Sequence, residues 1–319
     1  MKKSIFAFAA ALAALVACNK NDVAPMQPQN QESLVPCELT VGICGAMTKA
    51  TAVSADNEAK VNNLQVFVFR GDDLDAYASV DNAQELTLSC TAGDRVVYAL
   101  INAPDYSAVP GKAALLAKVS ELSANSLTNF EMVGSKSVTL PQSEKVSIDV
   151  NRIASRVVLK KITRSFTSEA LQVLNFKVDA IYLINVAGNT SYDLSADPAK
   201  WYNVAENKNE LASLLYDAPA SLITNGQSYS TAHTFYAYPN DLATNTTRLV
   251  IETTLGETKY YYPINLPEMA ANKSYEIEEV KITRPGSDNP DEPVSFADAT
   301  FSINVIDWTV VPVTEGTTI

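Results

Sequence analysis

Alternation of apolar and polar residues recurs along the chain after residue 37 and predicts many short β-strands. In residues 38–43, the side chains of Leu39, Val41 and Ile43 share one face. Further strand-like patterns follow at residues 63–70, 85–90, 95–102, 145–150, 156–162, 174–186, 234–238, 248–255, 258–264, 274–282 and 297–305.

Helical spacing is rare in this chain. A helix is predicted over residues 112–122, where apolar residues recur at intervals of three and four: Leu115, Leu116, Val119 and Leu122. A second, short helix is predicted at residues 210–216. Many strands with few helices indicate an all-β fold with minor helices, built from β-sandwich domains.

Three connecting segments organise these strands. Residues 91–94 have the composition of a hairpin turn, which predicts that segment 85–90 pairs with segment 95–102. Residues 45–60 are small and polar without periodicity and predict a long loop, and the Pro-rich residues 285–293 predict a linker or long turn. The best division is into two domains that meet near residue 150.

The first eighteen residues have the pattern of a lipoprotein signal peptide. Lys2 and Lys3 precede an apolar run at residues 5–17, which is too short to span a bilayer as a mature helix. Small residues then lead to Cys18, the predicted lipid attachment point of a lipobox. Residues 19–36 are polar and predict a flexible tether. The alternative is an ordinary secretory signal with a chance cysteine at its end.

The charge of the chain limits its partners. The formal net charge is -12, and loss of Lys2 and Lys3 with the signal peptide takes it to about -14. Such an acidic surface repels phosphate backbones and argues against nucleic-acid binding.

Cysteine and histidine are scarce. With Cys18 acylated, Cys37, Cys44 and Cys90 remain, and an odd number cannot all pair within one chain. Their spacing matches neither a zinc ribbon nor a redox motif. Two readings stay open: a Cys37–Cys44 disulfide that closes a small loop, or buried thiols. The sole histidine, His233, lies in a strand-like segment, which favours a structural role.

No catalytic motif is recognisable. The sequence contains no GxSxG elbow, HExxH, Walker loop, GxGxxG or EF-hand pattern. A glycosidase that uses two carboxylates would carry none of these motifs, but nothing in the sequence singles out a pair of acidic residues for that role. We therefore predict a protein that is not an enzyme and that needs no cofactor and no metal.

A series of motifs resembles the fimbrial subunits of Bacteroidetes, the FimA/Mfa1-like type V pilins. The resemblance begins with the lipobox at Cys18 and the strand and loop at residues 38–60. It continues, in this order and spacing, through residues 64–69 (LQVFVF), 151–159 (NRIASRVVL), 182–186 (YLINV), 235–240 (FYAYPN), 261–264 (YYPI) and 305–308 (VIDW).

This resemblance implies two transthyretin-like Greek-key β-sandwich domains, at residues 37–150 and 151–319. It also implies export as a lipoprotein, anchored in the outer membrane through the lipid on Cys18, and assembly into a surface fimbria that supports adhesion. In such pilins a protease cuts the loop after the first strand, that strand leaves, and a terminal strand of the next subunit fills the groove. The neighbour's strand restores backbone hydrogen bonds and apolar contacts, and the head-to-tail contact builds a filament.

The resemblance assigns roles to particular residues. Leu39, Val41 and Ile43 are the plug side chains of the removable strand, residues 38–44, unless that strand is permanent. The processing loop, residues 45–60, holds Lys49 and Lys60 but no arginine, although the best-known members are cut by an Arg-specific protease. We expect cleavage at the Lys49–Ala50 bond. The donor strand is expected within residues 309–319, with these residues on it: Thr309, Val310, Val311 and Val313.

Other functions remain as alternatives. The partners implied are further fimbrial subunits, in a homo- or heteropolymer, and surface receptors on host or bacterial cells. A stalk subunit is favoured because the chain ends in strand-like sequence, and the alternatives are an anchor or tip subunit that retains its lipid. A lipid-anchored glycan- or nutrient-binding protein would need an exposed aromatic platform. Residues 260–262 are the only dense tyrosine cluster, and alternation directs at least one of them into the core. Trp308 is likewise expected to be a core anchor.

Overall fold

A computed structural model describes residues 34–44, 55–204, 208–241, 245–292 and 298–308. The signal peptide and most of the tether therefore lie outside the described residues. The same is true of the residues predicted for lipidation, cleavage and strand donation: Cys18, Lys49, Ala50, Thr309, Val310, Val311 and Val313.

The elements up to residue 152 are short strands with few helical turns. The strands are β1 (Pro36–Cys44), β2 (Asn63–Arg70), β3 (Asp73–Asp81), β4 (Glu85–Thr91), β5 (Gly93–Ile101), β6 (Val119–Glu121), β7 (Met132–Leu140), β8 (Val146–Asp149) and β9 (Asn151–Arg152). The helical segments are α1 (Ala55–Glu58), α2 (Lys112–Leu116) and a 3₁₀ turn, Leu122–Ala124.

The elements after residue 152 follow the same style. The strands are β10 (Ser155–Leu159), β11 (Ile162–Arg164), β12 (Phe176–Ile184), β13 (Val186–Ala187), β14 (Asn189–Ser191), β15 (Trp201–Tyr202), β16 (Tyr216–Asp217), β17 (Ser221–Leu222), β18 (Ser228–Tyr229), β19 (His233–Ala237), β20 (Arg248–Leu255), β21 (Thr258–Asn265), β22 (Lys273–Ile282) and β23 (Ala299–Asp307). The helices are α3 (Glu169–Gln172) and α4 (Ala212–Leu215).

Two sheets form from the strands before residue 152. One is three-stranded in the order β4-β1-β8, and the other is five-stranded in the order β3-β2-β5-β7-β9. Strand β2 is buried from Leu64 to Phe69 without a break, because both of its faces are covered. This explains why both sets of alternating side chains in residues 64–69 are apolar, apart from Gln65.

Two larger sheets and two small ones form from the later strands. In the six-stranded sheet, β22 runs parallel to β10 and β11 and antiparallel to β23, which is an edge strand among the described residues. The five-stranded sheet has the order β16-β12-β20-β21, with β17 also paired to β12. Strands β13 and β15 pair with each other. Strand β14 pairs with β6 and so connects the two parts of the chain.

A continuous cluster of apolar side chains fills the space between these sheets, from Leu39 in β1 to Trp308 after β23. Ala180, Tyr182, Ile184 and Val250 form a smaller cluster on the other face of the β12–β20 sheet. The predicted all-β fold with minor helices is confirmed. The domain boundary near residue 150 stays a prediction. Within the described residues, no helix combines the length and apolar character needed to cross a bilayer.

The hairpin predicted at residues 91–94 is wrong. Strand β4 pairs with β1, whereas β5 lies between β2 and β7 in the other sheet. The chain turns from one sheet to the next at Gly93, whose φ of +109° suits glycine. The guanidinium of Arg95 reinforces this corner, because it pairs with Asp75 and donates to the carbonyl oxygen of Ala92.

The helix predicted at residues 112–122 is also shorter than expected. Only Lys112–Leu116 is helical, because Val119–Glu121 extends into β6 and takes its hydrogen bonds from β14. The spacing of apolar residues carries no information about the pairing of β6 with β14, which is distant in the sequence. The loop predicted at residues 45–60 likewise contains one helical turn, α1, at its end.

Candidate functional site

Strand β1 is the middle strand of its sheet. It runs antiparallel to β4, where Leu39 lies opposite Leu88 and Val41 opposite Leu86. It runs parallel to β8 over its last four residues, where Ile43 lies opposite Ile148. The N-terminal strand therefore supplies hydrogen-bond partners to a neighbour on each side, and its loss would leave two strand edges unpaired.

The side chains predicted as plug residues face the interior. Leu39 is 2% exposed and Val41 is completely buried, while Ile43 is half-buried and packs against the same apolar cluster. On the opposite face, the hydroxyl groups of Thr40 and Thr87 lie 2.9 Å apart. Strand β1 thus fills an apolar slot with one face and presents polar groups on the other. Whether the strand is removed stays a prediction.

A buried charged cluster includes a residue near the end of the predicted processing loop. We call it the Glu58 cluster, and its members come from distant parts of the chain: Glu58 ends α1, Arg152 ends β9, Arg156 lies in β10, Tyr236 in β19, and Trp308 follows β23. All are less than one-tenth exposed. The cluster therefore fixes the end of the predicted loop and the segment before the predicted donor strand.

The Glu58 carboxylate accepts three hydrogen bonds in this cluster. Arg156 Nη1 donates to Oε2 at 2.9 Å, Trp308 Nε1 donates to the same oxygen at 3.1 Å, and the Tyr236 hydroxyl donates to Oε1. Arg152 binds the main chain at both Glu58 and Trp308. Its Nε donates to the Glu58 carbonyl oxygen at 3.1 Å, and its Nη1 donates to the Trp308 carbonyl oxygen at 3.3 Å.

Aromatic contacts add to these bonds. The guanidinium carbons of Arg152 and Arg156 lie 4.5 and 5.3 Å from the centroid of the Trp308 ring. Phe130 meets the same indole edge-on at 5.5 Å. Burial lowers the pKa of Arg152 to about 10, although the nearby Glu58 carboxylate opposes that shift. Burial also raises the pKa of Tyr236, which keeps its hydroxyl protonated as a donor.

Sequence reasoning found only part of this cluster. The expectation that Trp308 is a core anchor is confirmed, because its side chain is 1% exposed. Glu58 lies in a segment whose composition predicts a polar loop, yet its side chain is completely buried. A single acid in a polar segment carries no sequence signal for burial. The only signal available was the surplus of arginine in the motif at residues 151–159.

His233 and the tyrosine cluster have structural surroundings. His233 is buried, and its Nδ1 lies 2.7 Å from Asp217 Oδ2. Tyr262 is completely buried, while Tyr260 packs against the main core and Tyr261 against the smaller cluster. The three tyrosines therefore divide between two faces of β21. In the described part of the chain, His, Cys, Asp and Glu side chains nowhere gather in threes as metal ligands would.

The cysteines contradict one of the two readings left open by the sequence. Cys37 and Cys44 lie at opposite ends of the extended strand β1, about 23 Å apart at 3.3 Å per residue, so they cannot form a disulfide within one subunit. Instead, Cys37 lies directly opposite Cys90 of β4, and their sulfur atoms are 3.7 Å apart. The Cys44 thiol donates to Asp149 Oδ1 at 2.9 Å.

Comparison with known families gives a match over the part of the chain that contains strand β1. Residues 38–158 match the family model of the major fimbrial subunit protein (FimA). For these residues, the match confirms the resemblance to FimA-like fimbrial subunits seen in the sequence.

Solved structures extend the likeness of fold to most of the chain. A protein from Bacteroides eggerthii, provisionally described as a cell adhesion protein, superposes with a TM-score of 0.67 at 20% identity, over 89% of this chain and 99% of that one. A fimbrilin from Porphyromonas gingivalis superposes with a TM-score of 0.62 at 16% identity, over 86% of this chain and 98% of that one. The C-terminally truncated tip fimbrial protein Mfa3 of the same organism superposes with a TM-score of 0.55 at 12% identity, over 86% of this chain and all of that one. At these identities the likeness establishes the β-sandwich fold.

Proposed function

We propose that this chain is a structural subunit of a cell-surface fimbria, exported as a lipoprotein and polymerised by protease-triggered donor-strand exchange. The family match and the shared fold support a fimbrial structural subunit. Its partners are other subunits of the fibre, joined head to tail, and the fibre supports adhesion to surface receptors on host or bacterial cells.

The observation that carries this proposal is the position of strand β1. It is the first strand of the described chain, it lies between β4 and β8, and it buries Leu39 and Val41 in the core. Removal of such a strand leaves an apolar slot lined by unpaired backbone groups on both sides. Only another extended segment with alternating apolar side chains can fill both requirements.

The Glu58 cluster suits a subunit that is cut and then exchanges strands. Cleavage at Lys49–Ala50 would separate β1 from the rest of the chain, but α1 would stay bound through Glu58. Trp308 would stay bound at the same place, directly before the donor residues 309–319. The body of the subunit would therefore keep its fold while β1 leaves and the donor strand reaches the next subunit.

In this scheme Cys18 is a transport handle. The lipid would hold the precursor in the outer membrane, and residues 18–49 would depart together when the loop is cut. An anchor subunit would differ only in retaining this segment.

The proposal is tested by determining the N-terminus of protein sheared from the cell surface. We expect a start at Ala50 and ladders of SDS-resistant oligomers. Substitution Lys49→Ala should leave the precursor uncut and abolish the ladders, and the matched change at the other loop lysine, Lys60→Ala, should leave both unchanged. An acylated Cys18 on all surface material would contradict a stalk subunit and favour an anchor.

The donor segment has its own test. Deletion of residues 309–319 should give a folded, cut subunit that does not polymerise. Deletion of residues 314–319 is the matched control, because it keeps Thr309–Val313 and should still polymerise. Equal polymerisation by both truncated chains would refute a C-terminal donor.

A further inference from the structure

Two cysteines face each other across the ladder between β1 and β4. In this antiparallel pair Cys37 is the direct partner of Cys90, and the register continues from Pro36–Thr91 to Gly42–Glu85 without a bulge. The register therefore holds the two side chains on the same face of the sheet.

Cross-strand pairs in this ladder alternate between hydrogen-bonded and non-hydrogen-bonded, and the type of pair sets the distance between the two Cα atoms. The Ala92 N–H donates to the Val35 carbonyl oxygen at 2.8 Å, and the Ile43 N–H donates to the Gln84 carbonyl oxygen at 3.0 Å. Every second pair between these ends is a hydrogen-bonded pair, and Cys37–Cys90 is one of them. Such pairs have Cα atoms about 5.5 Å apart, within the range of about 4.4–6.8 Å that a disulfide spans.

The sulfur atoms need only a small movement to bond. They are 3.7 Å apart, against a bonded distance of about 2.0 Å, and the backbone separation of the pair already lies within the disulfide range. Cys37 is half-buried and open to a reagent, whereas Cys90 is 6% exposed. Burial raises the pKa of Cys90 to about 12, and the hydrogen bond that the protonated thiol makes with Cys37 adds to the shift. Cys37 is thus the thiol that reacts first.

We propose that Cys37 and Cys90 form a disulfide bond that covalently locks strand β1 to strand β4. The oxidant is a protein or small-molecule disulfide of the oxidising compartment outside the inner membrane. The Cys37 thiolate attacks it and forms a mixed disulfide. Cys90 then loses its proton to solvent, attacks the Cys37 sulfur and displaces the reduced oxidant. The two cysteines give up two electrons and two protons, and the oxidant becomes a pair of thiols.

The lock has a consequence that rests on the proposed function. Cleavage after Lys49 would cut the backbone, but β1 would remain tied to the subunit through Cys37 and Cys90. Strand exchange would then require reduction as well as proteolysis. An oxidised subunit would keep its lipidated segment and behave as an anchor, and a reduced subunit would join the fibre as a stalk.

The bond itself is tested on the full lipid-anchored precursor extracted from outer membranes. The sample is denatured in N-ethylmaleimide, digested and mapped by mass spectrometry, with and without prior reduction. We expect the peptides of Cys37 and Cys90 to be linked before reduction and Cys44 to be alkylated, with loss of the linked peptide after reduction. Alkylation of Cys37 and Cys90 without reduction, even after incubation with oxidised glutathione, would overturn the proposal.

Variants separate the lock from the proposed function. The precursor is cut with a lysine-specific protease and run in SDS without reductant. The oxidised wild type and Cys44→Ser should retain the N-terminal fragment, and Cys90→Ser should lose it. Release of the fragment from the oxidised wild type would refute the lock.

Polymerisation tests strand exchange separately. Failure of the reduced wild type and of Cys90→Ser to polymerise would refute strand exchange, and the mapped disulfide would still stand. If a variant does not fold, the peptide map of the wild type still tests whether the disulfide forms.

Discussion

The carboxylate of Glu58 accepts a hydrogen bond at 3.1 Å from the indole nitrogen of Trp308, which is 250 residues further along the chain. Glu58 lies near the end of the predicted processing loop, and Trp308 precedes the predicted donor strand. Both are held by Arg152, whose guanidinium donates to the carbonyl oxygen of each. The segments that flank the two events of strand exchange are thus fixed at one buried site.

Replacement of Glu58 by glutamine should destabilise the fold strongly. The change removes the charge that balances the buried Arg156 guanidinium, and breaking one side of a buried ion pair costs about 3–5 kcal/mol. Urea unfolding of the purified protein measures this loss. The matched control is Glu278→Gln, which breaks an exposed pair with Lys160 and should change the free energy of unfolding by about 0–1 kcal/mol. Equal effects would mean that the cluster contributes no more than a surface pair.

The sequence predicted the strands better than their partners. Alternation located β1, because a half-buried strand needs apolar side chains at every second position, and apolar runs located β2 and β20, which are buried on both faces. Pairing depends on contacts far along the chain, so the turn at residues 91–94 indicated a hairpin where the structure changes sheets. The same limit hid the burial of Glu58 and the opposition of Cys37 to Cys90. The first follows from tertiary packing and the second from strand register, and no local pattern contains either.

Truncation of Leu39 tests how firmly strand β1 is held. Because its side chain is buried against Leu88, Leu39→Ala should lower the free energy of unfolding by about 2–5 kcal/mol. Thr40→Ala is the matched control on the opposite face and should change it by less than about 1 kcal/mol. Urea unfolding of the uncut precursor measures both changes. If Leu39→Ala had no larger effect than Thr40→Ala, β1 would not be a plug of the core.

The corner between the two sheets should be sensitive to acid through Asp75. Burial favours a higher pKa for this carboxyl, but hydrogen bonds from Thr91 and Arg95 outweigh burial and lower the pKa below its ordinary value. The folded state therefore binds a proton less readily than the unfolded state. The stability from this carboxylate is present above the unfolded pKa of about 3.9 and is lost as the pH falls through the lower folded pKa.

Substitution Asp75→Asn tests this pH dependence. At neutral pH the variant leaves Arg95 buried without its ion-pair partner and should be about 3 kcal/mol less stable. The difference from the wild type should shrink as the pH falls below about 4, because the Asp75 carboxyl of the unfolded wild type takes up its proton before that of the folded protein. Unfolding midpoints measured across this range check both statements. The control is Asp81→Asn, at an exposed position at the end of β3, and a constant difference at all pH values would contradict the assignment to Asp75.

Oxidation of the Cys37–Cys90 pair should stabilise the uncut precursor. The bond would close a loop between residues 53 positions apart, and loop-closure entropy for that length gives about 4 kcal/mol. Dithiothreitol should therefore lower the urea midpoint of the wild type and of Cys44→Ser, but should leave the double variant Cys37→Ser/Cys90→Ser unchanged. The reduced wild type and the double variant should have similar midpoints, because each retains β1 without the bond. A wild-type midpoint that does not respond to reductant, in protein shown to be oxidised, would mean that the bond adds nothing to the hold on β1. The backbone ladders and the plug side chains would then account for all of it.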